Sequence, residues 1–425
     1  MTRTTIGKFQ ILELIDRGAT SSVYLARDPF SGENVAVKIA DQRMLNDLAV
    51  GARFKKMFIN EASLAGKLRH PHIVRVFDAG SDQDMHYIVM ELVRGKTLRQ
   101  FCQVESLLPI NDVIEIIFKC SNAFDYAYRQ GLIHRDIKPA NILITSGTDV
   151  KISDFGSALL ADTELTQVLD AVGTPSYMAP EQIAGEKLSL HADIYSLGVV
   201  MYELLTGRQP FSGRNQYELL RNITKNAPVA IDKMRTGIPA SISDIVHRCL
   251  QKRPGDRFQG WSDLSAALAQ VHDELAHQLP DISDTRKFNV LKKLSFFVNF
   301  SDVELWEVLR ISRWQEFPGG KQLLREGKIG GSFFVLATGE VSIMKGSSPL
   351  GKVEAGQCFG EMAYIQGTRK PRSASVVSNT AVSVIKIGAD ALAEASEHLQ
   401  ARFNQALLKT LAQRLEQTSI LASAL

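Results

Sequence analysis

The sequence is short of several things, and each shortage excludes something. Only four cysteines occur in 425 residues. Cys102, Cys120, Cys249 and Cys358 stand far apart with no C-x-x-C pair, which speaks against a disulfide framework or structural zinc and for a reducing compartment. Neither sign of charge prevails: 49 Lys and Arg stand against 46 Asp and Glu, leaving +3. So even a balance is not the footprint of a partner to nucleic acid or to a membrane surface. No apolar run approaches 18 residues; the longest aliphatic patch, Ile194 to Leu205, is broken by Tyr195, Ser196 and Glu203 and reads as a buried helix. Met1 to Gly7 has no apolar segment behind its charge, so no signal peptide is expected and the location expected is cytoplasmic. Internal repeats and low-complexity tracts are missing too.

What is present falls into stretches of different texture. A chain this long has room for about two to three domains. From Phe9 to about Asn111, short β-branched runs (Val23 to Leu25, Val35 to Ile39, Ile73 to Phe77, Tyr87 to Leu92) alternate with turns around one helix, Ala52 to Leu68. Helical periodicity then dominates to about Leu279, where Leu264, Leu268, Val271 and Leu275 mark one amphipathic face. Pro280 to Asp284 is a polar break, and a linker is expected at 278–287. Beyond Phe288, strand-length runs punctuated by glycine predict a small β-barrel or sandwich, closed by a helix from about Leu392 to Leu421.

Two constellations carry chemistry. In the first, Lys138 follows Asp136 by two residues and Asn141 follows it by five, within His134-Arg135-Asp136-Ile137-Lys138-Pro139-Ala140-Asn141. Asp154-Phe155-Gly156 comes 13 residues after Asn141. The arrangement suits phosphoryl transfer: an aspartate to orient a hydroxyl, a lysine for the γ-phosphate, and oxygen ligands in Asn141 and Asp154 for Mg²⁺. Upstream, Lys38 ends the run Val35 to Lys38, and Glu61 on the helix is its expected ion-pair partner.

Residues 9 to about 277 resemble a eukaryotic-type serine/threonine protein kinase of the kind found in bacteria. The resemblance implies a bilobal α+β fold, with a β-rich small lobe and a helical large lobe, and MgATP as cosubstrate. It implies catalytic roles for Asp136, Lys38, Lys138 and Glu61. Met90, Glu91 and Val93 would meet adenine at the hinge; Ile15, Val23 and Ala36 would cover the ring and Leu143 would lie beneath it. Asp193 would brace the catalytic loop and Arg257 would pair with Glu181. Arg135 implies control by a phosphate on the activation segment, where Thr163 and Thr166 are candidates and Thr174 faces the substrate. The glycine-rich loop departs from the family pattern, reading Asp16, Gly18 and Ser21, so weakened ATP binding is expected. A rival reading is a scaffold whose altered loop no longer supports catalysis.

The second constellation is Phe359-Gly360-Glu361-Met362-Ala363, followed by Arg372-Ser373. A glycine-led turn, an arginine for a phosphate and a glutamate for ribose hydroxyls together suit a cyclic nucleotide. Residues 288 to about 421 resemble a cyclic nucleotide-binding domain, a β-barrel or jelly roll with flanking helices. The resemblance implies a ligand, cAMP or cGMP, held by Gly360, Glu361, Met362, Arg372 and Ser373 and reached from the last helix by Thr418. Regulation of the kinase by that ligand is the expectation. Phe403, Leu407, Leu411 and Leu415 recur every four residues on the last helix. They suit either packing on its own barrel or the seam of a homodimer. Protein substrates and cyclic nucleotide are the expected partners.

Overall fold

The computed structural model describes residues 5–18, 20–47, 51–155, 159–160, 175–276, 283–365 and 370–423. The side chains of Glu61, of residues 159–160 and of residues beyond Glu416 are outside that description. Thr163, Thr166 and Thr174 lie outside the described residues altogether. The chain divides into two compact units, Met1–Leu279 and Pro280–Leu425.

The first unit starts with a six-stranded antiparallel sheet: β1 (Thr5–Ile6), β2 (Phe9–Arg17), β3 (Ser21–Arg27), β4 (Asn34–Ala40), β5 (Val76–Asp82) and β6 (Met85–Glu91), in the order β1-β2-β3-β4-β6-β5. Alternation along β3, β4 and β6 turns Ala26, Val35, Val37 and Val89 onto Phe9, the core of this lobe. The helix Gly51–Ala65 lies where the sequence put it, but β5 does not. Ile73 and Val74 are drawn away from the sheet. Ile73 bridges Ile152 in parallel, and the amides of Val74 and Ile152 donate to the carbonyls of Ile152 and His72, each at 2.8 Å. The strand therefore begins later, at Val76.

The larger lobe is built around the helix Leu190–Thr206, in which every residue but His191 is buried. Ser189 accepts from the amide of His191 at its start, and Gly207 closes it with φ +71°. The helices Ile110–Arg129 and Trp261–Ala276 pack together, Phe124 stacking on Trp261 at 5.3 Å.

In the second unit two four-stranded sheets face each other around Phe334, Leu336, Val341, Val353, Phe359, Val376, Val382 and Val384. One sheet orders Ser312–Phe317, Val382–Gly388, Ser332–Thr338 and Cys358–Phe359; the other orders Gln322–Leu324, Ser375–Ser378, Glu340–Lys345 and Ser348–Glu354. Two boundaries differ from the sequence reading. Ser283 caps the amide of Arg286 and starts a helix, Asp284–Lys293, inside the stretch read as linker. The closing helix is split into Ala389–Ala393 and Glu397–Ser423. The break is at Ser396, whose Oγ accepts from Leu399 and donates to Glu307.

Candidate functional site

The first site forms where the lobes of the kinase-like unit meet. The turn before Asp136 is fixed from below by Asp193, buried in the helix Leu190–Thr206, which accepts from the amides of His134 at 2.7 Å and Arg135 at 2.8 Å. Burial pushes the Asp193 carboxyl above its ordinary range, while His134, Arg135 and the two amides pull it down. Arg135 itself is left-handed (φ +67°), as is Asp154 (φ +66°). Two non-glycine residues held in that region within one site are a mark of function over comfort.

Asp136 is held between two neighbours. Lys138 Nζ donates to its carboxylate at 2.7 Å, and Asn141 Nδ2 donates to its backbone carbonyl at 2.9 Å and its carboxylate at 3.2 Å. Because the Asn141 amide nitrogen is spent on Asp136, its Oδ1 points the other way as an oxygen ligand. The amide of Ser153 donates to the Asn141 carbonyl at 2.9 Å, which keeps Asp154 beside it. Phe155 packs on the buried His134 ring at 4.6 Å.

Across the cleft, Lys38 on β4 is buried and its ammonium pairs with Asp154. The sequence paired Lys38 with Glu61, which sits on the helix Gly51–Ala65 with its side chain outside the described residues. Among the residues read as the adenine pocket, Ala36 is buried, and Val23, Met90, Val93 and Leu143 are half-buried; Ile15 is exposed. At Glu91 the amide donates to the Arg75 carbonyl at 2.8 Å and the carboxylate pairs with Lys151 at 2.8 Å. Asp16, exposed, accepts from the amide of Arg17 at 2.8 Å, and Gly18 donates to the Ser21 carbonyl across the loop.

The stretch from Pro175 to Gln182, which the sequence reading took as the end of the activation segment, is locked from underneath. Arg257 and Glu181 form a buried two-point pair at 2.6 and 2.8 Å, and Gln182 Nε2 reaches the Arg135 carbonyl at 3.2 Å.

The second site lies at the edge of the barrel. The strand Cys358–Phe359 runs into Gly360, whose φ of +75° turns the chain sharply, and then into Glu361 and the short helix Met362–Ile365. Arg372 is buried beside them, donating to the carbonyls of Gly360 at 2.7 Å and Ser332 at 2.6 Å. Burial holds its guanidinium below the ordinary arginine range, with Glu361 acting in the opposite sense. A Cβ on Gly330 would stand 2.9 Å from that guanidinium, so glycine is what leaves the slot open. Glu361 is buried, and its Oε2 has no hydrogen-bond partner among the described residues. Met362 and Ser373 are exposed. Burial pushes the Cys358 thiol up to about 12, which keeps it unreactive.

One member of this site escaped the sequence reading. Arg414, from the helix Glu397–Ser423, pairs with Glu361 at 2.5 Å and also donates to the Cys358 carbonyl. Its signal was its place four residues before Thr418, on the same helical face; the Thr418 side chain is outside the described residues. The apolar stripe of that helix divides. Phe403 and Leu407 are buried, Phe403 against Phe296, Phe297, Phe300 and Phe333, whereas Leu415 is 69% exposed.

Comparison with known proteins finds a family for each unit. Residues 9–270 match the family described as protein kinase domain, and residues 314–398 match the cyclic nucleotide-binding domain. The chain is 35% identical to the serine/threonine-protein kinase PknB of Mycobacterium leprae over 65% of its own length and 44% of that protein's. It is 36% identical to PknB of Mycolicibacterium smegmatis over 67% of its length and 46% of that protein's. With the serine/threonine-protein kinase PrkC of Bacillus subtilis it shares 35% over 63% of its length and 41% of that protein's. The chain thus spans less than half the length of these curated relatives.

Proposed function

The chain belongs to the protein kinase family, and we propose that it transfers the γ-phosphoryl group of ATP to serine and threonine hydroxyls of proteins. The observation that carries this is the Asp136–Lys138–Asn141 cluster facing the Lys38–Asp154 pair. Asp136 orients the acceptor hydroxyl and takes its proton as the bond to phosphorus forms. Lys138, already beside that carboxylate, meets the γ-phosphate, and Lys38 meets phosphate oxygens nearer the adenosine. The Glu91 amide is occupied by Arg75, which leaves the Glu91 carbonyl and the Val93 amide to read the adenine edge.

The donors Asn141 Oδ1 and the Asp154 carboxylate fit a hard divalent cation such as Mg²⁺. Bound there, it would neutralise charge on the phosphates during transfer. Arg135, buried with its Nε unpartnered among the described residues, suits a phosphate on Thr163 or Thr166. Thr174 would face the acceptor. No helix among the described residues is long and apolar enough to cross a membrane, and the cytoplasm is the proposed location.

The second unit is proposed to bind cAMP or cGMP and to regulate the kinase, with Glu361 Oε2 as the supporting observation. A buried carboxylate oxygen without a donor asks for one, and a ribose hydroxyl supplies it. Arg372, in its glycine-walled slot, has donors left for the cyclic phosphate. Dimerisation through the last helix, where Leu415 is exposed, belongs to the same proposal.

Two measurements test the reading. Turnover of ATP and transfer to a generic basic protein are expected from the wild-type chain and lost in Asp136→Asn; equal rates in the two would sink the catalytic assignment. Calorimetric titration of cAMP and cGMP should give heat with at least one nucleotide and none in Arg372→Ala. No heat with either in the wild type would retire the sensor.

A further inference from the structure

Away from the catalytic cleft, the first unit holds a cavity of about 570 Å³ at the far end of the helix Leu190–Thr206. Thr206 forms part of its wall, while Asp193, which braces the catalytic loop, is near the helix start. At 1.5 Å per residue the two are about 20 Å apart.

Three cations line this cavity: Arg208, Lys233 and Arg235. None of them has a carboxylate partner among the described residues. Arg235 is fixed, its two terminal nitrogens donating to the carbonyls of Leu205 at 3.3 Å and Leu108 at 3.2 Å. That contact also answers the negative end of the helix, so Arg208 and Lys233, both exposed, are surplus to it. Beside Thr206, the lining also has the apolar side chains of Val104, Leu107 and Met234. The walls are also close-set: a Cβ on Gly207 would come within 2.7 Å of the Val104 backbone. A chain whose overall charge nearly cancels thus sets three cations, none with a carboxylate partner among the described residues, around one hollow that also has an apolar patch.

We propose that this cavity is a docking site for an acidic peptide segment of the protein substrate, with carboxylates meeting Arg208, Lys233 and Arg235 and an apolar side chain against Val104, Leu107 and Met234. The proposal rests on the kinase reading above. A free inorganic anion would satisfy the cations but leave the apolar patch unused, and it would fill only a fraction of the volume. A peptide uses both. The straight line between the two runs through the buried helix, so a substrate polypeptide must go over the surface of the lobe. A detour of about 30–40 Å takes about 10–12 extended residues, and one polypeptide can still occupy both places. Tethering of that kind raises the effective concentration of the acceptor hydroxyl at Asp136.

The test uses the full chain and a fluorescein-labelled peptide of sequence EELEE, with KKLKK as control. Anisotropy should show binding of the acidic peptide only, weakened at least tenfold in the Arg208→Glu/Lys233→Glu variant. Equal binding to variant and wild type, or none to wild type, would overturn the proposal; so would complete displacement by millimolar inorganic phosphate, which would mark an anion site only. In the second arm, an acceptor peptide joined to EELEE through flexible linkers of about 12 to 20 residues should, at the best length, have a several-fold lower KM than the acceptor alone. That advantage should vanish in the variant with kcat unchanged, and its persistence would remove the docking role. Failure of the wild type to phosphorylate even a generic basic protein would instead refute the kinase reading and the substrate assignment with it, while the anisotropy result would still stand as peptide binding.

Discussion

Replacing Arg257 by lysine keeps the charge and discards the geometry, and the structure says what that costs. All five guanidinium donor directions are used: Nε to the Gln251 carbonyl, Nη1 to Glu181 and the His191 carbonyl, and Nη2 to Glu181 and the Lys252 carbonyl. The side chain is fully buried, so no water replaces a lost partner. An ammonium has three donors and no planar fork. It can hold one Glu181 oxygen and leaves at least one or two buried acceptors unmet, at about 1–3 kcal/mol each. Arg257→Lys should therefore destabilise the first unit by about 3 kcal/mol, and Arg257→Met by about 3–5 kcal/mol, because the Glu181 charge is then stranded. Arg257→Met/Glu181→Met should cost clearly less than its two single variants added together, since the stranded charge leaves with its partner. Urea unfolding is the assay, in a Trp306→Phe/Trp314→Phe background so that Trp261, stacked on Phe124, alone reports the first unit. A change below about 1 kcal/mol for Arg257→Lys, or strict additivity of the two methionine substitutions, would refute the reasoning.

The other expectations are briefer. Asp16→Gly should lower KM for ATP, because it removes an exposed carboxylate from the loop proposed to cover the phosphates. The gain should shrink as salt rises, and an unchanged or higher KM would mean that the Asp16–Arg17 turn holds the loop in a useful shape. Arg414→Ala should destabilise the second unit by about 1–3 kcal/mol, because Glu361 is then buried with neither oxygen partnered. Glu361→Gln should rescue part of that loss, and a double-mutant cycle in thermal unfolding with no coupling would show that the ion pair is incidental.

The cluster around Asp136 was legible because its geometry is local. Asp136, Lys138 and Asn141 lie within six positions of one another, and the bonds joining them span two and five residues. The helix Leu190–Thr206 was legible for another reason: an apolar stretch of that length with only scattered polar residues has nowhere to go but the core. β5 was misread because its register is decided elsewhere. Ile73 and Val74 look like strand residues and are used as such, but by Ile152 in the other lobe. The true strand, Val76–Asp82, carries Asp78, Gly80, Ser81 and Asp82 on an exposed edge and shows little apolar alternation to detect.

The second site reveals where local pattern stops being enough. Gly360, Glu361 and Arg372 announce themselves by spacing, yet the ion-pair partner of Glu361 is Arg414, 53 residues further on. Nothing in the cassette encodes that partner; it arrives because Phe403 and Leu407 seat the last helix against the second unit's aromatic cluster, which fixes how the helix continues past them. The family match on residues 314–398 ends before Arg414 as well. Sequence pattern therefore reaches the groups that would touch a ligand, and packing supplies the ion-pair partner of one of them. Since Arg414 holds one oxygen of Glu361 and the other has no partner among the described residues, a ribose hydroxyl can enter without displacing it. Ligand binding and seating of the last helix then share one carboxylate, so a nucleotide that engages Glu361 must also be felt at Arg414. Arg414→Ala should accordingly change cyclic-nucleotide affinity as well as stability, and titration of the variant with an affinity equal to wild type would separate the helix from the ligand site.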